Sequence, residues 1–294
     1  MLEGAMVALI TPFSNGKLDK KQLRRLVRFH EKHDTDVVVP CGTTGESATL
    51  THEEHEEVIE IVVDEAEELD VMAGTGSNST HEAVRFTRHA DEVGCEAALV
   101  ITPYYNKPPQ RGMVSHFEKV ADSASIDIVL YNVPSRTGIN LSAEAVVKLS
   151  RIDNIVGVKE ASGDLSQITE ICHRTPDDFA VLSGDDGLTL PILSVGGAGV
   201  VSVLANILPD KISQLTWSFK KGNTRRARDL HQELHPLVKA MFWETNPIPV
   251  KFAASQLRLC DNEVRSPLST LDSSYHEDLI ELMEEADLSP EQNE

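Results

Sequence analysis

Short apolar runs alternate with longer amphipathic segments along most of this 294-residue chain. The apolar runs are nearly continuous, as in DVVVP, AALVITP and DIVLYNVP, which is typical of parallel strands covered on both faces. The repeat measures roughly 18 to 35 residues, the size of a βα unit. Eight strands are predicted, beginning near Ala5, Asp36, Val71, Ala97, Asp127, Ile155, Ala180 and Ala198.

The segments between the strands carry apolar residues at the three- and four-residue spacing of amphipathic helices. One of them begins with Thr51 and Glu54, which have the spacing of a capping box. The pattern therefore predicts helices over 19–33, 51–68, 79–93, 110–124, 142–150, 164–173 and 187–195.

Eight βα units in about 220 residues predict a closed (β/α)8 TIM barrel of the α/β class. A doubly wound open sheet is the alternative, but it requires a glycine-rich phosphate loop after the first strand, and LITPFSNG does not provide one. We expect the barrel over 1–222 and an extra C-terminal helical region, packed on the barrel, over 223–294. Beyond the eighth strand, helical patterns cover 209–221, 223–242, 247–259 and 276–287.

The charge balance excludes some partners. Acidic residues number 47 against 27 basic ones, and the net charge of −20 disfavours nucleic acid and anionic membranes. No apolar run approaches the ~20 residues of a membrane span. The N-terminal AMVALI lacks a basic flank and is interpreted as a strand, not a signal peptide. The four cysteines form no C-x-x-C pair, which favours a reducing cytoplasm without disulfides or a zinc site.

Polar residues gather where the predicted strands end, which is where barrel enzymes carry their chemistry. The strand ends read CGTTGES, TPYYNKP, YNVPSRTG, KEASGD and SGDDG. They contain no Ser-His-Asp set and no pair of strand-end carboxylates of the kind a glycosidase uses. A different nucleophile is therefore expected on this rim.

Lys159 ends an apolar strand, and a buried amine has a lowered pKa that suits attack on a carbonyl. Tyr131 ends the preceding strand and is placed to pass protons, with Thr43 and Thr44 as relay hydroxyls. Arg136, in the next loop, has the fork geometry to hold a carboxylate. Each residue alone fits a structural role, such as a packed tyrosine or a surface ion pair. Their joint occurrence favours Schiff-base chemistry.

His52 and His55 lie three residues apart on the second predicted helix, a spacing that can hold a metal. The stretch HEEH is not an H-E-x-x-H motif, and no third ligand is obvious nearby. We therefore predict no metal site, and favour a surface pair or a contact to a small molecule.

Six motifs together resemble the dihydrodipicolinate synthase family, in the same order over nearly the whole chain: GTTGESATL, TPYYNKP, YNVPSRTG, GVKEASGD, LSGDD and NPIPVK. The wider superfamily includes N-acetylneuraminate lyase and other 2-keto acid aldolases. The resemblance implies condensation of pyruvate with L-aspartate 4-semialdehyde in lysine biosynthesis. It also implies that no cofactor is needed.

The resemblance assigns four catalytic roles. It implies that Lys159 forms the imine with pyruvate and that Tyr131 shuttles protons, with Thr43 as its relay partner. It further implies that Tyr105 crosses a dimer interface to complete the relay in the neighbouring subunit. The assembly implied is a homotetramer, built as a dimer of dimers.

The resemblance also assigns substrate contacts. Thr44 matches the residue that holds the pyruvate carboxylate, and Arg136 matches the arginine that receives the carboxylate of aspartate semialdehyde. Gly184 and Val201 match residues lining the pyruvate pocket. In lysine-regulated members, L-lysine binds as an inhibitor at the tight dimer interface. The matching positions are Ser47, Ala48, His52, His55, Asn78, Glu82 and Tyr104.

Two other functions remain open on the sequence. The first is a pyruvate-dependent aldolase for sugar acids, such as N-acetylneuraminate lyase. Arg136 argues against it, because a sugar polyol is better bound by neutral hydrogen-bonding groups. The second is a non-catalytic sensor of lysine or pyruvate, from which loss of Lys159 or Tyr131 would be expected.

Overall fold

Eight parallel strands close into a barrel in the computed structural model, which describes residues 2–289. Each strand pairs with its neighbours in the chain, and the first strand also pairs with the eighth, with Gly4 opposite Gly199. The predicted TIM barrel is therefore confirmed. The strands are Gly4–Ala8, Val37–Val39, Asp70–Gly74, Ala97–Ile101, Asp127–Asn132, Ile155–Glu160, Ala180–Ser183 and Gly199–Ser202.

Helices cover the outside of the barrel, one after each strand. The capping box at Thr51 forms as predicted: its hydroxyl accepts the Glu54 N–H at 3.2 Å, and the Glu54 carboxylate accepts the Thr51 N–H at 3.0 Å. The helices are Lys20–Lys32, His52–Glu65, Thr80–Val93, Gln110–Ala121, Ala143–Leu149, Leu165–Arg174, Thr189–Ser194 and Pro209–Lys220.

Alternate strand residues face two different cores. Met6, Val39 and Leu182 fill the inside of the barrel, whereas Val7 and Val38 pack against the surrounding helices. Because both strand faces are buried, the strands are apolar at consecutive positions, which is the pattern read from the sequence.

Three further helices extend the outer core beyond the barrel: Thr224–Ala240, Ile248–Gln256 and His276–Glu285. Leu230, Val250 and Leu279 belong to the same buried cluster as Val7 of the first strand. The C-terminal region therefore packs on the barrel directly. Residues 290–294 of the predicted region lie outside the described residues.

Several short elements were not predicted from the sequence. They are the antiparallel pair Phe13–Ser14 and Lys17–Leu18, the four-residue helix Pro134–Thr137, and the 3-10 turns Ser47–Thr49, Asp186–Leu188, Leu204–Asn206 and Ser273–Tyr275. Most of them lie in the loops that follow the carboxyl ends of the strands. They therefore shape the rim where the candidate site lies.

Candidate active site

Lys159 and Tyr131 lie side by side at the carboxyl ends of the sixth and fifth barrel strands. The two residues are direct partners in the strand register. The ammonium nitrogen of Lys159 lies 4.5 Å from the centroid of the Tyr131 ring. Both side chains are buried, with exposed fractions of 6% and 7%. The nucleophile and proton carrier predicted from the sequence are therefore adjacent.

The environment of Lys159 favours the neutral amine. Burial lowers its pKa from 10.5 to about 8; the Asp186 carboxylate opposes this shift, and the charge of Arg136 adds to it. A deprotonated amine is the form that attacks a carbonyl carbon. A useful fraction of Lys159 is therefore nucleophilic near neutral pH.

The pKa of Lys159 predicts how imine formation depends on pH. Below about pH 8 most of the amine is protonated, so the initial rate should rise by about tenfold per pH unit and level off above pH 8. Borohydride quenching of the enzyme with subsaturating pyruvate, across pH 6 to 10, measures this rate. A rate that keeps rising up to pH 10, as for an exposed lysine, would contradict the lowered pKa.

Gly184 and Asp186 shape the space around the lysine. A Cβ atom at Gly184 would lie 2.7 Å from the Cβ of Ala161 and 3.1 Å from the Lys159 Cε, so a larger residue there would displace the amine. Asp186 is buried and accepts the Ser202 hydroxyl and the N–H groups of Val203 and Leu204. This carboxylate is therefore fixed by the end of the eighth strand.

Glu160, next to the lysine, is held by hydrogen bonds to neighbouring residues. Its carboxylate is fully buried and accepts the Asn132 amide, the Ser162 N–H at 2.7 Å and the Gln167 amide at 3.1 Å. Asp164 caps the helix that follows by accepting the Ser166 and Gln167 N–H groups. These contacts fix the loop after the sixth strand. The Glu160 carboxylate accepts its hydrogen bonds from protein groups among the described residues.

A cavity of about 120 Å³ opens above Lys159. It brings together six of the eight residues predicted to contact substrate, namely Thr43, Thr44, Tyr131, Arg136, Lys159 and Gly184. Val201 instead faces the inside of the barrel, and Val203 lines the cavity in its place. Tyr105 lies in the loop after the fourth strand and is 85% exposed in this single chain.

The Tyr131 phenol is kept protonated. Burial raises its pKa, while the charge of Arg136 and a hydrogen bond with the Thr43 side chain act in the opposite direction. A protonated phenol next to the amine can donate to an oxygen that leaves as water. Tyr131 is therefore adjacent to Lys159 and hydrogen-bonded to Thr43, which is what the predicted relay requires.

Asn246 is a site residue that the sequence reasoning missed. Its amide nitrogen donates to the Thr44 hydroxyl at 3.0 Å, and its backbone carbonyl accepts from the Arg136 guanidinium at 3.3 Å. Its side-chain oxygen is buried without a hydrogen-bond partner among the described residues. The motif NPIPVK was the only signal, and it carried no information on which residues Asn246 contacts.

A second cavity of about 390 Å³ adjoins the first, and Thr43, Arg136 and Asn246 line both. It contains six of the seven residues predicted to bind lysine: Ser47, Ala48, His52, His55, Glu82 and Tyr104. Asn78 precedes the helix Thr80–Val93 and is not part of the lining.

The polar groups of this second cavity are ordered around Glu82. Its carboxylate accepts the Ser77 hydroxyl at 2.6 Å and lies 3.5 Å from the His52 ring nitrogen. The His55 ring stacks on the Phe86 ring, with 4.1 Å between the ring centroids, and burial lowers the pKa of His55 to about 4. The imidazole of His55 is therefore neutral at physiological pH. Two carboxylates line the cavity: Glu46 is paired with Lys251, and Glu82 is the one predicted to meet an ammonium.

No cluster of three or more His, Cys, Asp or Glu side chains among residues 2–289 has an arrangement that could hold a metal ion. No helix in this range is both long and apolar enough to cross a membrane.

Comparisons with known proteins agree over nearly the full chain. Residues 1–286 match the Dihydrodipicolinate synthetase family. The 4-hydroxy-tetrahydrodipicolinate synthase of Methanothrix thermoacetophila is 55% identical over 273 residues, covering 92% of each chain.

Two solved structures share the fold. The enzyme of Cyanidioschyzon merolae with lysine bound has a TM-score of 0.95 and 40% identity, covering 97% of this chain and 98% of that one. The chloride-inhibited enzyme of Acinetobacter baumannii complexed with pyruvate has a TM-score of 0.96 and 38% identity, covering 98% and 100%. The order of the motifs, the closed barrel and the paired lysine and tyrosine agree with these relatives, and the chain belongs to the dihydrodipicolinate synthetase family.

Proposed function

We propose that this protein condenses pyruvate with L-aspartate 4-semialdehyde to give 4-hydroxy-tetrahydrodipicolinate, the first committed step of diaminopimelate and lysine biosynthesis. The observation that carries the proposal is the buried Lys159 amine, with a pKa of about 8, facing Tyr131 in a small cavity that also contains Arg136. The A. baumannii relative was solved with pyruvate.

The reaction begins at the Lys159 amine, which attacks the ketone carbon of pyruvate. Tyr131 donates a proton to the resulting hydroxyl, which leaves as water and gives an iminium. Loss of a proton from the methyl carbon gives an enamine, and that carbon attacks the aldehyde of the second substrate. The amino group of the adduct then displaces Lys159 from the imine carbon, which closes the ring and frees the lysine.

The two substrate carboxylates are proposed to bind to different residues of the cavity lining. Thr44 and the backbone N–H groups of its turn would receive the pyruvate carboxylate, because glycines on either side allow close approach. Arg136, which lines both cavities, would receive the carboxylate of aspartate semialdehyde. A charged acceptor therefore fits this site better than a neutral sugar aldehyde.

An assay with both acceptors tests the choice of substrate. With pyruvate held constant, the purified protein should consume aspartate semialdehyde and leave N-acetylmannosamine unchanged. The reverse preference would support the sugar-acid aldolase alternative. Inactivity with both acceptors, together with the absence of an adduct to Lys159, would support the sensor alternative.

We propose that Tyr105 reaches the active site of a second subunit within a homotetramer built as a dimer of dimers. Its side chain is exposed in the single chain and its backbone is left-handed (φ = 71°), so the phenol is free to meet a partner subunit. Mixing Tyr105→Phe and Lys159→Ala chains should then restore activity. In the mixed dimer, one site has Lys159 from one chain and Tyr105 from the other.

The matched control for this mixing is Tyr131→Phe with Lys159→Ala. Tyr131 and Lys159 belong to the same chain's cavity, so no mixed dimer of these two variants contains a complete site. Recovery in the first mixture alone supports a shared site. If subunit exchange is demonstrated and neither mixture recovers, Tyr105 does not act across the interface.

We further propose that L-lysine binds in the larger cavity and inhibits cooperatively, as the C. merolae structure has lysine bound. Glu82 is proposed to contact the ammonium group. Asn78 lies outside the cavity lining in the single chain, and it is proposed to contact the carboxylate in the pocket that forms at the subunit interface. Inhibition requires that lysine bind a less active arrangement better than the active one.

Titration of activity with lysine checks this proposal. Glu82→Ala should raise the half-inhibitory concentration by about tenfold or more, because a charge-assisted contact is lost. Glu60→Ala is the matched control: Glu60 lies 3.5 Å from His89, as Glu82 lies from His52, but it does not line the cavity. Equal inhibition of Glu82→Ala and the parent would place the lysine elsewhere.

The four cysteines of the described residues are free thiols. Their state supports our proposal that the protein functions in the reducing environment of the cytoplasm.

A further inference from the structure

The ion pair between Glu46 and Lys251 is completely buried, with both side chains 0% exposed. The Lys251 nitrogen lies 2.6 Å from one Glu46 carboxylate oxygen and donates to the Glu263 carbonyl at 2.7 Å. The other Glu46 carboxylate oxygen accepts a hydrogen bond from the backbone N–H of Arg265 at 2.9 Å. Lys251 also lies over the Phe13 ring at 4.3 Å. Both charges are therefore fully coordinated by the protein.

Such a pair is a costly way to obtain stability. Two ions lose their hydration, and well-packed apolar residues of the same volume often stabilise a fold as well or better. Burial lowers the pKa of Lys251, while the attraction of Glu46 opposes this shift. What the ion pair supplies and an apolar contact does not is a defined distance and direction between the two side chains.

One partner controls the turn that follows the second strand. Glu46 has a left-handed backbone (φ = 54°), and its N–H donates to the Thr43 carbonyl at 3.1 Å. The next N–H, of Ser47, donates to the Gly42 carbonyl at 3.3 Å. The Glu46 side chain therefore anchors the short turn that presents Thr43 and Thr44 to the cavity.

The other partner controls the segment that carries Asn246. Lys251 lies in the first turn of the helix Ile248–Gln256, and its N–H donates to the Pro247 carbonyl at 3.0 Å. Asn246, just before that helix, holds the Thr44 hydroxyl through its side chain and Arg136 through its carbonyl. Two segments about 200 residues apart in the chain thus meet at the substrate cavity and at the buried pair.

We propose that the Glu46–Lys251 pair is a positioning device for the condensation. It fixes the turn of Thr43 and Thr44 against the Asn246 segment, so that the groups binding the two substrate carboxylates are held at the correct separation. This inference rests on the proposed function. Neither Glu46 nor Lys251 lines the cavity above Lys159, so both act on that cavity through other residues, although Glu46 lines the adjoining larger cavity.

The test compares three variants with the parent enzyme. Glu46→Gln with Lys251→Met removes both charges together, so no unpaired ion is left buried. Glu46→Asp keeps the charge but shortens its reach, so the pair closes only if the turn of Thr43 moves. Glu233→Gln with Lys211→Met removes an exposed pair of similar length, 2.7 Å, and is the matched control.

We expect kcat/KM for aspartate semialdehyde to fall by about tenfold or more in both Glu46 variants, because small misplacements of binding groups are costly in catalysis. Borohydride trapping at saturating pyruvate should still label Lys159, since Lys159 and Tyr131 are held by the barrel strands. The surface-pair control should keep the parent constants.

A merely structural pair would lower the melting temperature and leave the kinetics of the folded enzyme unchanged. Parent values of kcat and of both KM in folded Glu46→Asp therefore overturn the proposal, even if the double variant does not fold. A parent enzyme that fails to condense the two substrates contradicts the proposed function instead. The two failures are thus distinguishable.

Discussion

Replacing Lys159 with alanine is expected to abolish condensation while leaving the barrel folded. In the proposed mechanism the amine is the nucleophile, and no other lysine among residues 2–289 lines the cavity. Removing such a group costs roughly 10⁴-fold or more in kcat. The strands keep their register because Lys159 and Tyr131 pair through their backbones, and the variant no longer has an amine to bury at this position.

Steady-state assay of the Lys159→Ala variant, with circular dichroism of the same preparation, checks this result. Lys148→Ala is the control, because Lys148 is an exposed lysine paired with Glu118 on the outer surface. A folded Lys159→Ala variant that retains a tenth of the parent activity would rule out the imine as an obligatory intermediate.

Replacing Arg136 with alanine is expected to separate the two substrates. The guanidinium is held by the Asn246 carbonyl where the two cavities meet, so it is placed to bind the second carboxylate. Losing a charge-assisted contact costs about 1.5–3 kcal/mol, or roughly 10- to 150-fold in kcat/KM for aspartate semialdehyde. Imine formation with pyruvate should remain, since Lys159 and Tyr131 stay in place.

The conservative variant Arg136→Lys makes this prediction sharper. It keeps the charge but loses the planar fork, so its kcat/KM should lie between those of the parent and the alanine variant. Steady-state kinetics with each substrate varied in turn gives both constants. An equal loss of pyruvate trapping and of overall rate in Arg136→Ala would contradict the assignment of Arg136 to aspartate semialdehyde alone.

The sequence was informative wherever local physics decides the structure. Strands buried on both faces are apolar at every position, and amphipathic helices carry a period near 3.6, so the eight units and their starts were predictable. The Asp36 strand, for example, begins at Val37 in the structure. The adjacency of Lys159 and Tyr131 followed from their being one βα repeat apart at strand ends.

The features that could not be predicted from the sequence depend on contacts between segments that are far apart in the chain. Asn246 meets Thr44, and Lys251 meets Glu46, across about 200 residues, and no periodicity encodes such a meeting. Val203 lines the cavity instead of Val201 because it lies just past the strand end at Ser202, where alternation stops. The role proposed for Tyr105 depends on a second subunit, which one chain does not contain.

The central claim is that Lys159 forms an imine with pyruvate, and borohydride trapping tests it most directly. The protein is incubated with pyruvate, reduced, digested and analysed by mass spectrometry. Our account predicts a reduced pyruvate adduct on the peptide carrying Lys159, loss of activity in proportion to labelling, and no adduct when pyruvate is omitted. Complete reduction without any adduct on Lys159, in enzyme that still condenses its substrates, would contradict it.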